Sequence, residues 1–175
     1  MYIAEIRQKT AYKTQSASSV KDAVQAFAVS IAKNYPIALT LTIKQTKRIK
    51  NANGVFVKSL DEWDCEGIAR RFTQKLNREV FGKRAAEKYG KALEYFVVME
   101  GGRNGKNLHL HLAIGAIPNH VKLNDINALV FNAKQHVAEL DEQYKVDLAT
   151  NSGWMEYITK EVGRSDSDNV LWQLA

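Results

Sequence analysis

The sequence is poor in the residues on which specialised scaffolds depend. It holds one cysteine, Cys65, so neither an intramolecular disulfide nor a four-cysteine zinc module can form. Only two prolines in 175 residues, with no low-complexity tract, exclude fibrous and linker-rich architectures. No stretch approaches the roughly 20 apolar residues that a membrane-spanning helix needs. The opening MYIAEIRQKTAYKTQ has no apolar run of the kind a signal peptide carries. Acidic residues are outnumbered, 19 against 25 basic ones, for a net charge of +6. What remains is 45% hydrophobic, enough for one buried core without staples. These figures describe one ordinary soluble domain in a reducing, cytosol-like compartment, with no membrane partner. Its positive charge suits a polyanion such as nucleic acid. The chain reads equally as a whole small protein or as the first domain of a longer one.

The apolar spacing sets out the elements. Ser18-Ser19 precedes Val20, Val24, Phe27 and Ile31 at steps of three and four, an amphipathic helix with a serine cap that Pro36 stops. IALTLTIK alternates as a strand with Thr40 and Thr42 on one face. KQTKRIKNANG is a basic hairpin loop turning at Asn53-Gly54, and VFVKSL returns as a strand. Asp61 caps a second helix to about Val80, with the stripe Ile68, Phe72, Leu76 and Val80. ALEYFVVME and LHLHLAIG form a β-hairpin around GGRNGKN. A helix is expected over KLNDINALVFNAKQHVAELDEQY, then a short strand YKVDLAT, then a short helix SGWMEYITKEVG capped by Ser152. NVLWQLA could add an edge strand. Helices do not alternate strictly with strands, so an α+β fold is expected, with a central antiparallel sheet of about five strands and flanking helices.

His109 and His111 are the sharpest chemical feature. Alternate residues of a strand leave the same face, so the two imidazoles stand side by side while Leu108, Leu110 and Leu112 point to the core. With four histidines in the chain, a chance His-x-His is expected only about 0.1 times. Two solvated histidines remain the simple alternative to a metal pair. Antiparallel pairing through the GGRNGKN turn could bring the Glu100 carboxylate alongside His109. Two imidazoles and a carboxylate with open positions suit a divalent ion that also touches substrate. The turn is not a phosphate-binding loop, because its glycine spacing is wrong and a strand follows it. His120 and His136 read as surface or helix-packing residues, and Cys65 as semi-buried on a helix.

Tyr157 and Lys160, three apart on a short helix, share a face, with Trp154 and Ile158 on the buried side. Such a tyrosine is commonly structural. Beside a metal, however, a phenolate can attack a phosphodiester in line and conserve the bond as phosphotyrosine. A neighbouring cation would ease ionisation of a phenol whose ordinary pKa is near 10.

Thr-Leu-Thr in IALTLTIK, His-Leu-His in LHLHLAIG and Tyr-x-x-Lys in EYITKEVG occur in that order. In this the chain resembles the HUH endonucleases, specifically the single-tyrosine rolling-circle replication initiators (Rep) of plasmids and small single-stranded DNA replicons. The motifs span about residues 37 to 163, so the resemblance takes in most of the chain as a single origin-nicking domain, 1–175. It implies Mg²⁺ or Mn²⁺ on His109 and His111 with Glu100 as third ligand. It also implies Tyr157 as the nucleophile that keeps the 5′-phosphate, and Lys160 positioning metal and phosphate or neutralising charge. The implied partner is single-stranded or stem-loop origin DNA. The chain has no ATP-binding motif, so a host or separate helicase is implied. Localisation would be cytoplasmic in the host of a plasmid or phage, or nuclear for a eukaryotic virus.

Lys44, Lys47, Arg48 and Lys50 cluster after the first core strand, and Arg103 and Lys106 lie on the turn beside the histidines. They are candidate DNA contacts through phosphates, or else solvated basic loops. A single-tyrosine HUH transposase has the same motif order. A non-enzymatic RRM-like module for single-stranded nucleic acid is a third reading, with Tyr95 and Phe96 as its nearest aromatic candidates.

Overall fold

The computed structural model describes residues 17–52, 54–101, 107–149, 152–162 and 169–174. Four strands form the main sheet: β1 (Ile37–Ile43), β4 (Glu94–Glu100), β5 (His109–Gly115) and β6 (Leu140–Leu148), in the order β4-β5-β1-β6 and antiparallel throughout. Strands β2 (Thr46–Asn51) and β3 (Gly54–Ser59) pair only with each other. Five helices accompany them: α1 (Ala17–Ile31), α2 (Glu62–Phe81), α3 (Lys83–Tyr89), α4 (Ile126–Gln135) and α5 (Gly153–Ile158). The fold is α+β as the sequence suggests, with four strands in the sheet instead of five. The strand counted from VFVKSL is β3, which stands apart with β2; the basic excursion is itself a strand.

The sheet is buried on both faces. One face carries Leu39, Leu41, Leu110, Leu112, Val97 and Met99 against α2 and α4. The second carries Phe96, Val98 and Ala113 against Ala28 of α1, Met155 and Ile158 of α5, and Val170. The central strands therefore read as nearly continuous apolar runs, and only the residue types at their ends mark the polar site. At roughly 25 cal/mol per Å² of apolar surface, each fully buried leucine contributes about 2 kcal/mol.

Local chemistry sets the boundaries. Asp61 caps α2 through a capping box: its carboxylate accepts from Asp64 N–H at 3.0 Å, and Asp64 accepts from Asp61 N–H at 3.2 Å. The expected stripe Ile68, Phe72, Leu76 and Val80 is buried. Cys65 is fully buried, not semi-buried, and burial pushes its thiol up to about 12. The described part of α1 runs from Ala17 to Ile31 and takes in Ser18 and Ser19, whose expected capping side chains lie outside the described residues. Phe27, expected on the buried stripe, is half exposed and rests against Trp172.

The helix expected over residues 122–144 ends at Gln135, and residues 140–148 are β6. Val137, Leu140 and Tyr144 satisfy the helical spacing, but Leu140, Tyr144 and Val146 also satisfy the strand period. Pairing with β1 decides for the strand, because β1 would otherwise present an open edge. Ser152 makes no cap hydrogen bond to α5, since its backbone is already helical. Of NVLWQLA, only Val170 forms a β-bridge, to Val98, and residues 172–174 are a 3₁₀ turn.

Candidate nucleic-acid cleavage site

Three neighbouring strands supply one polar patch on the face that α5 covers. The register puts Glu100 opposite His109, His109 opposite Thr42, and His111 opposite Thr40. Two rows of side chains thus cross β4, β5 and β1. The β6 register adds Lys145 opposite Thr40 and Asp147 opposite Ala38.

His111 is the hub. It is 4% exposed, and its two ring nitrogens are both engaged. Nδ1 lies 3.1 Å from Thr40 Oγ1, and Nε2 lies 2.9 Å from Glu100 Oε2. Glu100 lies alongside His109 in the register, as expected, and its carboxylate also reaches His111. Glu100 and His109 are directly opposed in backbone, but sheet twist and the lean of side chains along the strand favour the diagonal neighbour. The two imidazoles are nearly parallel, at 11° and 6.3 Å between centroids. Desolvation holds the His111 imidazole below its ordinary range, outweighing the adjacent Glu100 charge that acts to raise it.

Helix α5 brings the aromatic wall. Trp154 and Tyr157 stack on each other at 5.6 Å and 18°, and both meet His111 edge to face at 5.6 and 5.7 Å. The indole Nε1 of Trp154 is buried without a hydrogen-bond partner among the described residues. Tyr157 is 48% exposed, with its ring on the lip of the patch. Lys160 is not on the helix, which ends at Ile158, but its N–H donates to Tyr157 O and its side chain folds back. Its Nζ lies 3.7 Å from the centre of the Tyr157 ring and 3.5 Å from Glu100 Oε1. Burial acts to lower the Lys160 ammonium, but the Tyr157 hydroxyl and the Glu100 charge outweigh it, so its pKa is raised.

These side chains open onto a cleft of about 470 Å³ lined by Thr40, Glu100, His109, His111, Trp154 and Tyr157, with Lys145 and Asp147 on its far wall. The structure thus gathers Glu100, His109, His111, Tyr157 and Lys160 in one place. Among the described residues, no group of three or more His, Cys, Asp or Glu side chains is arranged so as to hold a metal ion, and Glu100, His109 and His111 do not form one as they stand. Sequence reasoning missed Lys145, Asp147 and the direct role of Trp154. The alternation of Tyr144, Val146 and Leu148 with Lys145 and Asp147 shows two faces, but not that the strand lies next to β1.

The basic candidates divide. Lys44 donates to Ala138 O at 2.7 Å, and Lys47 is ion-paired with Glu139 at 2.6 Å. Arg48 and Lys50 are exposed on β2. Arg103 and Lys106 lie outside the described residues. Tyr95 and Phe96 are both buried, which removes them as base-stacking platforms. His120 and His136 are exposed, as expected. No described helix is long and apolar enough to cross a membrane. Comparison with protein-family models, curated proteins and solved structures finds no significant match to the chain.

Proposed function

We propose that the chain is a metal-dependent endonuclease and strand-transferase that nicks single-stranded DNA through Tyr157 and so initiates rolling-circle replication of a plasmid or small replicon. One observation carries this reading: an exposed phenol stands against a His–Glu pair, with an ammonium on its ring. A tyrosine serving only the core would not leave half its surface in a cleft beside three ionisable groups.

The donor chemistry fits a hard divalent ion. Nε2 of His111 and Oε2 of Glu100 are 2.9 Å apart, close to the spacing of adjacent ligands of an octahedral ion at about 2.1 Å. Thr40 Oγ1 at Nδ1 is the outer partner that a ligating imidazole requires. The hydrogen bond to the Glu100 carboxylate places a proton on Nε2, which an ion bound there would displace, leaving Nδ1–H to donate to Thr40 Oγ1. His109, partly exposed on the same face, would complete the set. Mg²⁺ or Mn²⁺ bound there would polarise the scissile phosphate and stabilise the developing charge.

The chain's own residues perform the remaining steps. Tyr157 Oη gives up its proton to water and attacks phosphorus; the P–O3′ bond breaks, and the departing O3′ atom takes a proton back from water to become the free 3′-hydroxyl. The 5′-phosphate stays on Tyr157 as a phosphodiester, so a later 3′-hydroxyl can reverse the exchange without an energy source. Lys160, on the ring face, stabilises the phenolate and is itself kept cationic by Glu100. Trp154 fixes the ring plane by stacking. Incubation with single-stranded oligonucleotides and Mn²⁺ is expected to give a cut product and an SDS-resistant adduct, both abolished by EDTA and by Tyr157→Phe. An adduct formed equally by Tyr157→Phe would refute the assignment.

A further inference from the structure

The hairpin β2–β3 takes no part in the chemistry just described. It leaves the sheet after Ile43 and returns before Leu60. Its base is tied by Leu60 N–H donating to Gln45 O at 2.9 Å, and by Leu108 N–H donating to Gln45 Oε1 at 3.1 Å. Beyond that base the register separates two faces. Lys47, Ile49, Phe56 and Lys58 share the inner one, where Lys47 pairs with Glu139 and Lys58 with Asp64. Thr46, Arg48, Lys50, Val55, Val57 and Ser59 share the outer one, and all six are exposed. Val55 is 65% and Val57 62% exposed. TKRIKN and GVFVKS contain four cations and no carboxylate.

We propose that the outer face of this ribbon seats in the major groove of a B-form DNA duplex beside the cleavage cleft. The charge is complementary to a polyanion, and Arg48 and Lys50 have no ion pair among the described residues. A two-stranded ribbon is also one of the two protein elements that a groove about 12 Å wide admits. Six residues per strand give a ribbon about 20 Å long. Val57 stands opposite Arg48 and Val55 opposite Lys50, so their methyls match thymine methyls while the cations reach guanine and phosphate acceptors. A single strand is less suited, because it is held by stacking on aromatic rings and the only aromatic of the ribbon, Phe56, is on the other face. Duplex RNA is excluded by its deep, narrow major groove. A second copy packed on this face would set Arg48 and Lys50 against their own counterparts. Thr42, opposite His109, and Thr46, the first ribbon residue, are four apart, at most about 14 Å along the chain. A stem held by the ribbon would therefore place the adjoining single strand at the cleft. This placement rests on the proposed nicking function; the groove contact itself does not.

The test uses the full chain in EDTA and fluorescence anisotropy with three probes: a 20-base-pair DNA duplex, one of its strands alone, and the RNA duplex of the same sequence. The DNA duplex is expected to bind more tightly than the RNA duplex. Arg48→Ala/Lys50→Ala should weaken duplex binding at least tenfold near 0.1 M salt and lower the log–log salt slope by about 1 to 2, at roughly 0.9 per phosphate contact. Binding of the single strand should fall less than threefold. Unchanged duplex affinity, an equal loss on the single strand, or a change in oligomeric state on sizing would overturn the proposal. Both positions are exposed, and matching melting curves establish that the variant is folded. The binding test needs neither metal nor Tyr157, so groove binding in EDTA with no adduct in the separate Mn²⁺ reaction would refute the nicking function alone, and an adduct in that reaction without groove binding would refute this proposal alone.

Discussion

Thr40→Val isolates one atom of the site. The substitution keeps shape and replaces Oγ1, the partner of His111 Nδ1 at 3.1 Å, by a methyl group. A neutral hydrogen bond contributes about 1 kcal/mol net, and stranding a buried imidazole nitrogen costs about 1–3 kcal/mol. His111 is nearly enclosed, but Thr40 lines the cleft, where a water can take over part of the lost bond. The loss should thus sit at the low end of that range. In metal binding, removal of an outer partner of a ligating histidine typically costs 10–100-fold, and about tenfold is expected here. The assay is Mn²⁺ titration of wild type and Thr40→Val by calorimetry at pH 7.5, with thermal melting as the folding control. The melt should fall by only a few degrees while the metal dissociation constant rises about tenfold. Equal affinity in the two proteins would refute the view that Thr40 orients His111 as a ligand.

Three further outcomes follow from the same structure. Because the His111 pKa is lowered, its stabilising contribution is present above the unfolded value near 6.5 and is lost as pH falls through the folded value; wild type should therefore lose more melting temperature between pH 7 and 5 than His111→Gln, and parallel losses would contradict this. Asp61→Ala removes the accepting half of the α2 capping box and should cost about 1 kcal/mol in urea unfolding, whereas Glu66→Ala, which breaks an exposed i,i+4 pair with Arg70, should cost under about 0.5 kcal/mol; equal effects would refute the cap's importance. Gly101 has φ +98°, and a Cβ there would collide with the Asn107 carbonyl, so Gly101→Ala should destabilise the β4–β5 turn by more than about 1 kcal/mol and shift Glu100, lowering metal affinity as well. Wild-type stability in that variant would show that Gly101 and Asn107 do not approach as closely as this.

Much of the site was legible because its elements are local. Alternation within LHLHLAIG places His109 and His111 on one face whatever the strand order, and the short GGRNGKN connection makes β4 and β5 neighbours. What could not be read are the long-range pairings. That β6 flanks β1, and so brings Lys145 and Asp147 to the cleft, is settled by packing between segments a hundred residues apart. The diagonal Glu100–His111 contact depends on sheet twist, which no residue pattern encodes. The β2–β3 ribbon was half legible: Asn53-Gly54 signalled the turn, but TKRIKN, with five polar or charged residues around Ile49, does not look like a strand. It is extended because β3 supplies its hydrogen bonds, not because it buries a face.

The central claim is that the Tyr157 oxygen becomes bonded to DNA phosphorus. Mass spectrometry of protease-digested protein, after reaction with a single-stranded oligonucleotide and Mn²⁺, tests it directly. The mass of a 5′-phosphonucleotide is expected on the peptide containing Tyr157, and nowhere else. Cleavage that leaves every peptide unmodified, or the added mass on another residue, would contradict the mechanism.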